Sequence, residues 1–426
     1  MAGVSTASLV RTVPVALLVG CLSALVLVGL SEVAERLQHL VWHDLPDAWG
    51  LTGTPPRWWT VVVLTVTGLL VGAVLRWAPG HGGADPTTIE LVGPPIPVAA
   101  VPGLAVALAL GLAGGVSLGP ENPIIAVNVS IAVWLFARRR GADAVMPVAV
   151  LAVAGTIGAL FATPVAAALV LTESLSRTAD RGSRLFDRMF PPLVAAGAGA
   201  LTMRALHAPQ FAVDLPAYTD PRAWDLLGAS LVAIAAALAV GLGALAFPYV
   251  HRAFHGMPNA VVALGLAGLV LGLFGALGGQ VTLFKGLDQV RTLVATADDR
   301  SAGALVLVAL VKVAAILVAA AAGFRGGRIF PSVVVGVAVG LAAAALVPSI
   351  PTTVAVAAGT MGAVLAIDRD GWIALFVGTV IVGDIQVLPL LCIALAPLWL
   401  VARALPEMRT PAHAGPEFGS RAAGFA

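Results

Sequence analysis

The chain has 426 residues, 59% hydrophobic and 11% charged, with a formal net charge of +2 and a mean hydropathy of +0.98. Soluble domains carry about 25% charged residues, so this chain lacks the charge to solvate its exterior, and a soluble globular protein is excluded. The expectation is an all-α polytopic membrane protein.

Apolar segments fall at 12–34, 58–78, 99–118, 122–137, 145–162, 164–175, 189–206, 225–250, 258–280, 302–323, 331–348, 352–367, 371–384 and 386–404. The stretches 122–137, 226–250 and 329–367 contain no Asp, Glu, Lys or Arg. A spanning helix needs roughly 20 apolar residues, whereas runs of about 10–14 mark buried or re-entrant segments; both lengths occur. The first segment follows Arg11 and is long enough to span, so it is expected as a retained helix rather than a cleaved signal peptide. Trp58-Trp59 at the start of the second segment reads as part of an interfacial aromatic belt. Next comes Gly80-His81-Gly82-Gly83-Ala84-Asp85-Pro86, which taken alone is a generic polar loop.

Ser117-Leu118-Gly119-Pro120-Glu121-Asn122-Pro123 interrupts the apolar pattern. Pro123 suits the first turn of a helix, where its missing N–H costs nothing. Such a helix leaves unbonded N–H groups pointing back at residues 119–122, and with the helix dipole they form an anion site. Glu121 is itself an anion at that spot. When ionised it occupies the site, and when protonated or displaced it vacates it, which is the physics of a gate. The competing account is a Glu that merely caps a helix at the membrane surface. The apolar neighbours 112–119 and 124–133 favour depth, where ionisable residues are functional.

Arginines cluster at Arg138-Arg139-Arg140 and at Arg177, Arg181, Arg184 and Arg188. By the positive-inside rule both loops are cytoplasmic, so 145–175 crosses and returns. Within it, Thr172-Glu173-Ser174 places a carboxylate where it either handles protons or pairs with Arg177 at i+4. The polar stretch 208–222 divides the chain into halves of 12–207 and 223–404. In the second half Arg325-Gly326-Gly327-Arg328-Ile329-Phe330-Pro331 repeats the break, with Pro331 opening another apolar helix. Arg328 either neutralises anions or snorkels to the headgroups. Broken helices at corresponding places of two halves point to a transport site. Residues 406–426 are short, polar and Gly/Pro/Ala-rich, and are expected to be a disordered tail without a soluble regulatory domain.

Taken together, the three breaks resemble the CLC family of chloride channels and chloride/proton antiporters, whose motifs run Gly-Ser-Gly-x-Pro, Gly-x-Glu-Gly-Pro and Gly-x-Phe-x-Pro. Residues 119–123 match the second with Asn122 for Gly, 327–331 match the third with Ile329 at the Phe position, and 80–86 match the first with His81 at the Ser position. Phe161-Ala162-Thr163-Pro164, Lys312 and Gly383-Asp384-Ile385-Gln386-Val387-Leu388-Pro389 extend the likeness over nearly the whole chain. The resemblance implies a single inverted-repeat transmembrane domain over 1–405, a homodimer with one pore per subunit, and an inner-membrane location if the source is bacterial. It implies that Glu121 is the gate. It places the anion against Gly119, Pro120, Asn122, Pro123, Gly327, Arg328, Ile329 and Phe330, with Gly80, His81 and Gly82 at the inner site. The proton path falls at Glu173 and Ser174, where antiporters often carry an internal glutamate at the second position. A pore-lining tyrosine has no counterpart, since Tyr218 and Tyr249 are the only tyrosines.

The expected partners are chloride or another small anion, membrane lipid and a second copy of the chain, with no nucleic acid and no cofactor. An alternative is a cation-coupled solute transporter using Glu121, Asp368 and Asp384 as ligands, although helix N-termini repel cations. An enzyme is not expected, because no HExxH, P-loop or GxSxG motif occurs. Cys21 and Cys392 have neither disulfide nor metal-ligand spacing.

Overall fold

The computed structural model describes residues 6–51, 53, 55–83, 95–138, 141–177, 185–206 and 211–409. Its first half contains α1 (Thr6–His39), the short α2 (Leu45–Ala48), α3 (Arg57–Trp77), α4 (Val101–Gly114), α5 (Glu121–Ala132), α6 (Val145–Leu160), α7 (Pro164–Arg177) and α8 (Leu185–Ala205). The second contains α9 (Ala223–His255), α10 (Ala260–Gly278), α11 (Leu287–Ala295), α12 (Ala302–Ala321), α13 (Ile329–Leu346), α14 (Thr352–Asp368), α15 (Gly371–Val382) and α16 (Leu388–Ala404). With α2 and α11 set aside, each half contributes seven helices, with a break before the fourth, α5 in the first half and α13 in the second. Among the described residues eight helices are long and apolar enough to cross a membrane. The shorter α4, α5, α14 and α15 are apolar as well.

The repeat is visible as geometry where α3 meets α10. A Cβ at Gly68 would lie 2.0 Å from the Leu264 carbonyl oxygen, and one at Gly268 would lie 2.2 Å from that of Leu64. Gly72 abuts Val261 and Gly272 abuts Val61 in the same way. Residue i meets j while the equivalent of j meets the equivalent of i, the signature of a two-fold axis running between the helices. The partner number falls as the residue number rises, so α3 and α10 are antiparallel. Small residues bring backbones into direct contact, which is how helices pack where lipid gives no hydrophobic drive.

Two expectations need correction. Trp58 is 50% exposed, as a belt residue should be, but Trp59 is 4% exposed and donates its indole N–H to the Val41 carbonyl at 3.1 Å. Residues 406–409, expected in the disordered tail, are held in place. Met408 is 1% exposed, and Arg369 donates to the carbonyls of Leu405 and Pro406 at 2.6 and 2.9 Å. A guanidinium among backbone oxygens orders this segment in spite of its polar composition.

Candidate anion site

Each half breaks its helix in the same manner. α4 stops at Gly114 and Gly115 takes the left-handed conformation (φ 90°), freeing an extended segment that reaches Glu121. α12 stops at Ala321, Gly323 turns (φ 87°), and a second extended segment reaches Ile329. Backbone outside a helix must find partners at membrane depth. It finds them across the two-fold: Gly119 N donates to Gly327 O at 2.8 Å, and Gly327 N donates to Gly119 O at 2.7 Å. The two motifs are thus joined by an antiparallel pair of hydrogen bonds, with the N-termini of α5 and α13 directly beyond it.

The Glu121 side chain folds back over this bridge. A Cβ at Gly119 would lie 2.0 Å from its Oε2, and a Cβ at Gly327 would lie 2.2 Å from its Cδ. Only glycine leaves room at both places. Glu121 is 4% exposed, so the surface-cap account is set aside. Its Oε1 accepts the Phe330 N–H at 3.0 Å, and its Oε2 has no hydrogen-bond partner among the described residues. The Phe330 amide belongs to the first turn of α13, where N–H groups lack intrahelical acceptors. The carboxylate therefore sits on a donor that would equally serve a small anion.

Beside it lies a cavity of about 20 Å³, lined by Glu121, Ile157, Phe161, Val170, Phe330 and Ile373 among others. That is room for about one water-sized particle. Phe161, Phe211, Phe330 and Phe376 gather around this end, with Phe161 contacting the other three at centroid distances of 5.4–5.7 Å. Phe211 and Phe330 touch at 5.4 Å. Phe211 comes from the linker between the halves, and no local sequence signal marked it.

The remaining candidates divide. Pro120 is the N-cap of α5, Pro123 is buried in its first turn, Asn122 is half-buried, and Ile329 lines the cavity. Arg328 neither snorkels nor faces the cavity with its head group. It is 7% exposed and donates to the Met408 carbonyl. Gly80 and His81 form a left-handed turn (φ 69° and 50°), and the exposed His81 donates from Nδ1 to the Leu75 carbonyl at 3.0 Å. This turn is not among the walls of the cavity. It connects to the third motif through Arg325, whose guanidinium donates to the carbonyls of Gly82 at 3.0 Å, Gly83 at 2.7 Å and His81 at 3.3 Å. Asp85 and Pro86 lie outside the described residues. Glu173 and Ser174 fall in α7, one turn beyond the cavity residue Val170, and their side chains lie outside the described residues. The carboxylates of the cation-coupled alternative are otherwise engaged: Asp384 accepts from Gln386 N and Tyr218 N at 2.9 and 2.8 Å, and Asp368 lies 3.9 Å from Arg409.

A sequence model described as "Voltage gated chloride channel" matches residues 66–402. The chain belongs to that family. Its similarity to "Putative ion-transport protein YfeO" of Escherichia coli strain 55989 is 45% identity over 394 residues, covering 92% of this chain and 93% of that protein. In fold it is similar to a CLC-type fluoride/proton antiporter, with a TM-score of 0.75, 19% identity and coverage of 95% and 98% of the two chains. It is also similar to a slow cyanobacterial Cl⁻/H⁺ antiporter, with a TM-score of 0.74, 18% identity and coverage of 92% and 94%. The CLC fold, a multi-pass location in the membrane and a role in anion transport, as channel or exchanger, accordingly come with the family.

Proposed function

We propose that this CLC protein moves chloride or a similar small anion through a pathway gated by Glu121, as a channel or a weakly coupled proton exchanger. The observation that carries the proposal is the Glu121 carboxylate on the Phe330 amide at the start of α13, at 3.0 Å. An anion arriving at that helix terminus competes with the carboxylate for the same donor. Each terminus offers an anion about 0.3–2 kcal/mol, so the converging ends of α5 and α13 must act together to offset dehydration. Weak binding of that kind suits passage, because an ion held tightly would not leave. The Gly119 and Gly327 N–H groups are spent on each other, and Pro120 and Pro123 carry none. The donors are therefore the backbone N–H groups of Glu121, Asn122, Arg328, Ile329 and Phe330, with Gly80, His81 and Gly82 serving the inner end of the path through their link to Arg325.

Ser174, at the position where antiporters often carry an internal glutamate, favours a channel or loose coupling, and Glu121 and Glu173 are the groups left to carry protons. The working unit is a homodimer in the lipid of the inner membrane, each subunit holding one site within a single domain over 1–405. Its task is transport rather than catalysis. The deciding experiment is the reversal potential of reconstituted liposomes under a chloride gradient, with and without a pH gradient. A reversal potential that follows the chloride gradient and is unmoved by pH identifies a channel, and one that shifts with pH identifies an exchanger. No chloride-dependent current or flux would overturn the proposal.

A further inference from the structure

α12 is apolar apart from Lys312, which is 0% exposed. A charge in such a place is costly unless fully engaged. Its Nζ lies 3.1 Å from the carbonyl oxygens of Thr282 and Leu283, 2.9 Å from that of Phe284 and 3.3 Å from Ser117 Oγ. Every one of these atoms accepts, because the Ser117 hydroxyl donates its own proton to the Thr282 carbonyl at 2.7 Å. An acceptor-only shell suits an ammonium with its three N–H donors; a neutral amine would turn its lone pair on an oxygen. No carboxylate pairs with Lys312 among the described residues.

The two-fold axis gives this cage a counterpart. The turn after α3 presents the carbonyls of residues 81–83 to the Arg325 guanidinium, and the turn after α10 presents those of 282–284 to the Lys312 ammonium. Arg325 stands two residues before Gly327, and Ser117 stands two residues before Gly119. Each strand of the Gly119–Gly327 bridge is thus fastened, at the equivalent place, to a run of three carbonyls by a cation. On the Ser117 side a further bond, Phe284 N to Gly115 O at 3.1 Å, completes the seam.

We propose that Lys312 is a positioning residue for the anion site: its ammonium locks the strand leading to Gly119 onto the 282–284 turn and so fixes the N-terminus of α5 against that of α13. The inference rests on the anion pathway proposed above. Without the ammonium the buried Leu283 and Phe284 carbonyls lose this donor, Thr282 keeps the Ser117 hydroxyl, and the strand is free to shift. A shift there changes the spacing of the donors around the anion, and with it the preference between anions of different size.

The test uses the full-length protein purified in detergent, with Kd values for chloride and for fluoride measured by titration calorimetry. Lys312→Met keeps the length of the side chain without its charge, and Ser117→Ala removes one cage oxygen without adding bulk. The expected result for Lys312→Met is a chloride Kd raised about tenfold or more, the scale of losing one charge-assisted hydrogen bond. Ser117→Ala should raise it by a smaller factor, and in both variants the chloride-to-fluoride Kd ratio should change. A merely structural role lowers the folded fraction but leaves that ratio unmoved. If Lys312→Met fails to fold, Ser117→Ala decides alone. Folded variants with wild-type Kd values and ratio would overturn the role of Lys312 while leaving the pathway intact. Wild-type protein that binds neither anion would remove the pathway itself, and this inference with it.

Discussion

Replacing Glu121 with Ala isolates the competition on which gating depends. In the docked position Oε1 gains a charge-assisted hydrogen bond from Phe330 N, while Oε2 remains without a partner among the described residues. Such a bond contributes about 1.5–3 kcal/mol, and leaving a buried polar atom unsatisfied costs about 1–3 kcal/mol. The two nearly cancel, so the docked state is favoured by no more than about 1–2 kcal/mol. A competing intramolecular group weakens the apparent affinity of the anion by the factor its own docking supplies. Glu121→Ala should therefore lower the chloride Kd at pH 7, by at most about 5- to 30-fold. The same substitution should abolish its pH dependence. In the wild type, affinity should rise as pH falls, because a protonated Glu121 no longer competes as an anion. Calorimetric chloride titrations of both proteins at several pH values measure this. A variant Kd no lower than wild type, or one that keeps the wild-type pH dependence, would refute the competition.

Gly327→Ala approaches the same gate from its seat. The added Cβ would stand 2.2 Å from Glu121 Cδ, and Gly327 does not use a left-handed conformation, so the backbone accepts alanine. The carboxylate must move off the Phe330 amide, and liposome flux at pH 7 should become less sensitive to pH; a wild-type pH profile would show that Glu121 does not rest there. At the linker between the halves, burial first and then the Asp225 carboxylate, which accepts the phenol proton at 2.8 Å, push the Tyr218 hydroxyl up from 10.0 to about 12. A group raised on folding contributes stability that is complete below its unfolded pKa and is lost as pH rises through the folded one. Thermal unfolding scans should show the wild type losing stability between pH 10 and 12, and Tyr218→Phe lacking that component of the loss. Parallel profiles for the two proteins would sink the assignment.

The membrane architecture and both helix breaks were legible because each is written locally. A run such as 331–348 shows its apolarity directly, and Gly-Pro-Glu-Asn-Pro carries its own helix start. α11 was not anticipated, since its nine residues include Asp288 and Arg291 and resemble a polar connection. The Trp58-Trp59 pair looks uniform in the sequence, but a helix turns neighbours to different sides, and Trp59 is buried while Trp58 is exposed. The charge of Arg328 is plain in the sequence, but its direction depends on the chain segment around Met408, 80 residues away.

By itself the sequence determined that the chain lies in lipid, that two halves carry matching breaks, and that a carboxylate stands at the first of them. Charge content, apolar run length and proline position are properties of short stretches, and they survive any packing. Only the tertiary structure decided what that carboxylate touches. The Gly119–Gly327 bridge, the Phe330 amide beneath Oε1, the Phe211 ring from the linker and the Lys312 cage all join residues far apart in the chain. Such contacts follow from the two-fold packing of one half on the other, and no short stretch of either half contains them.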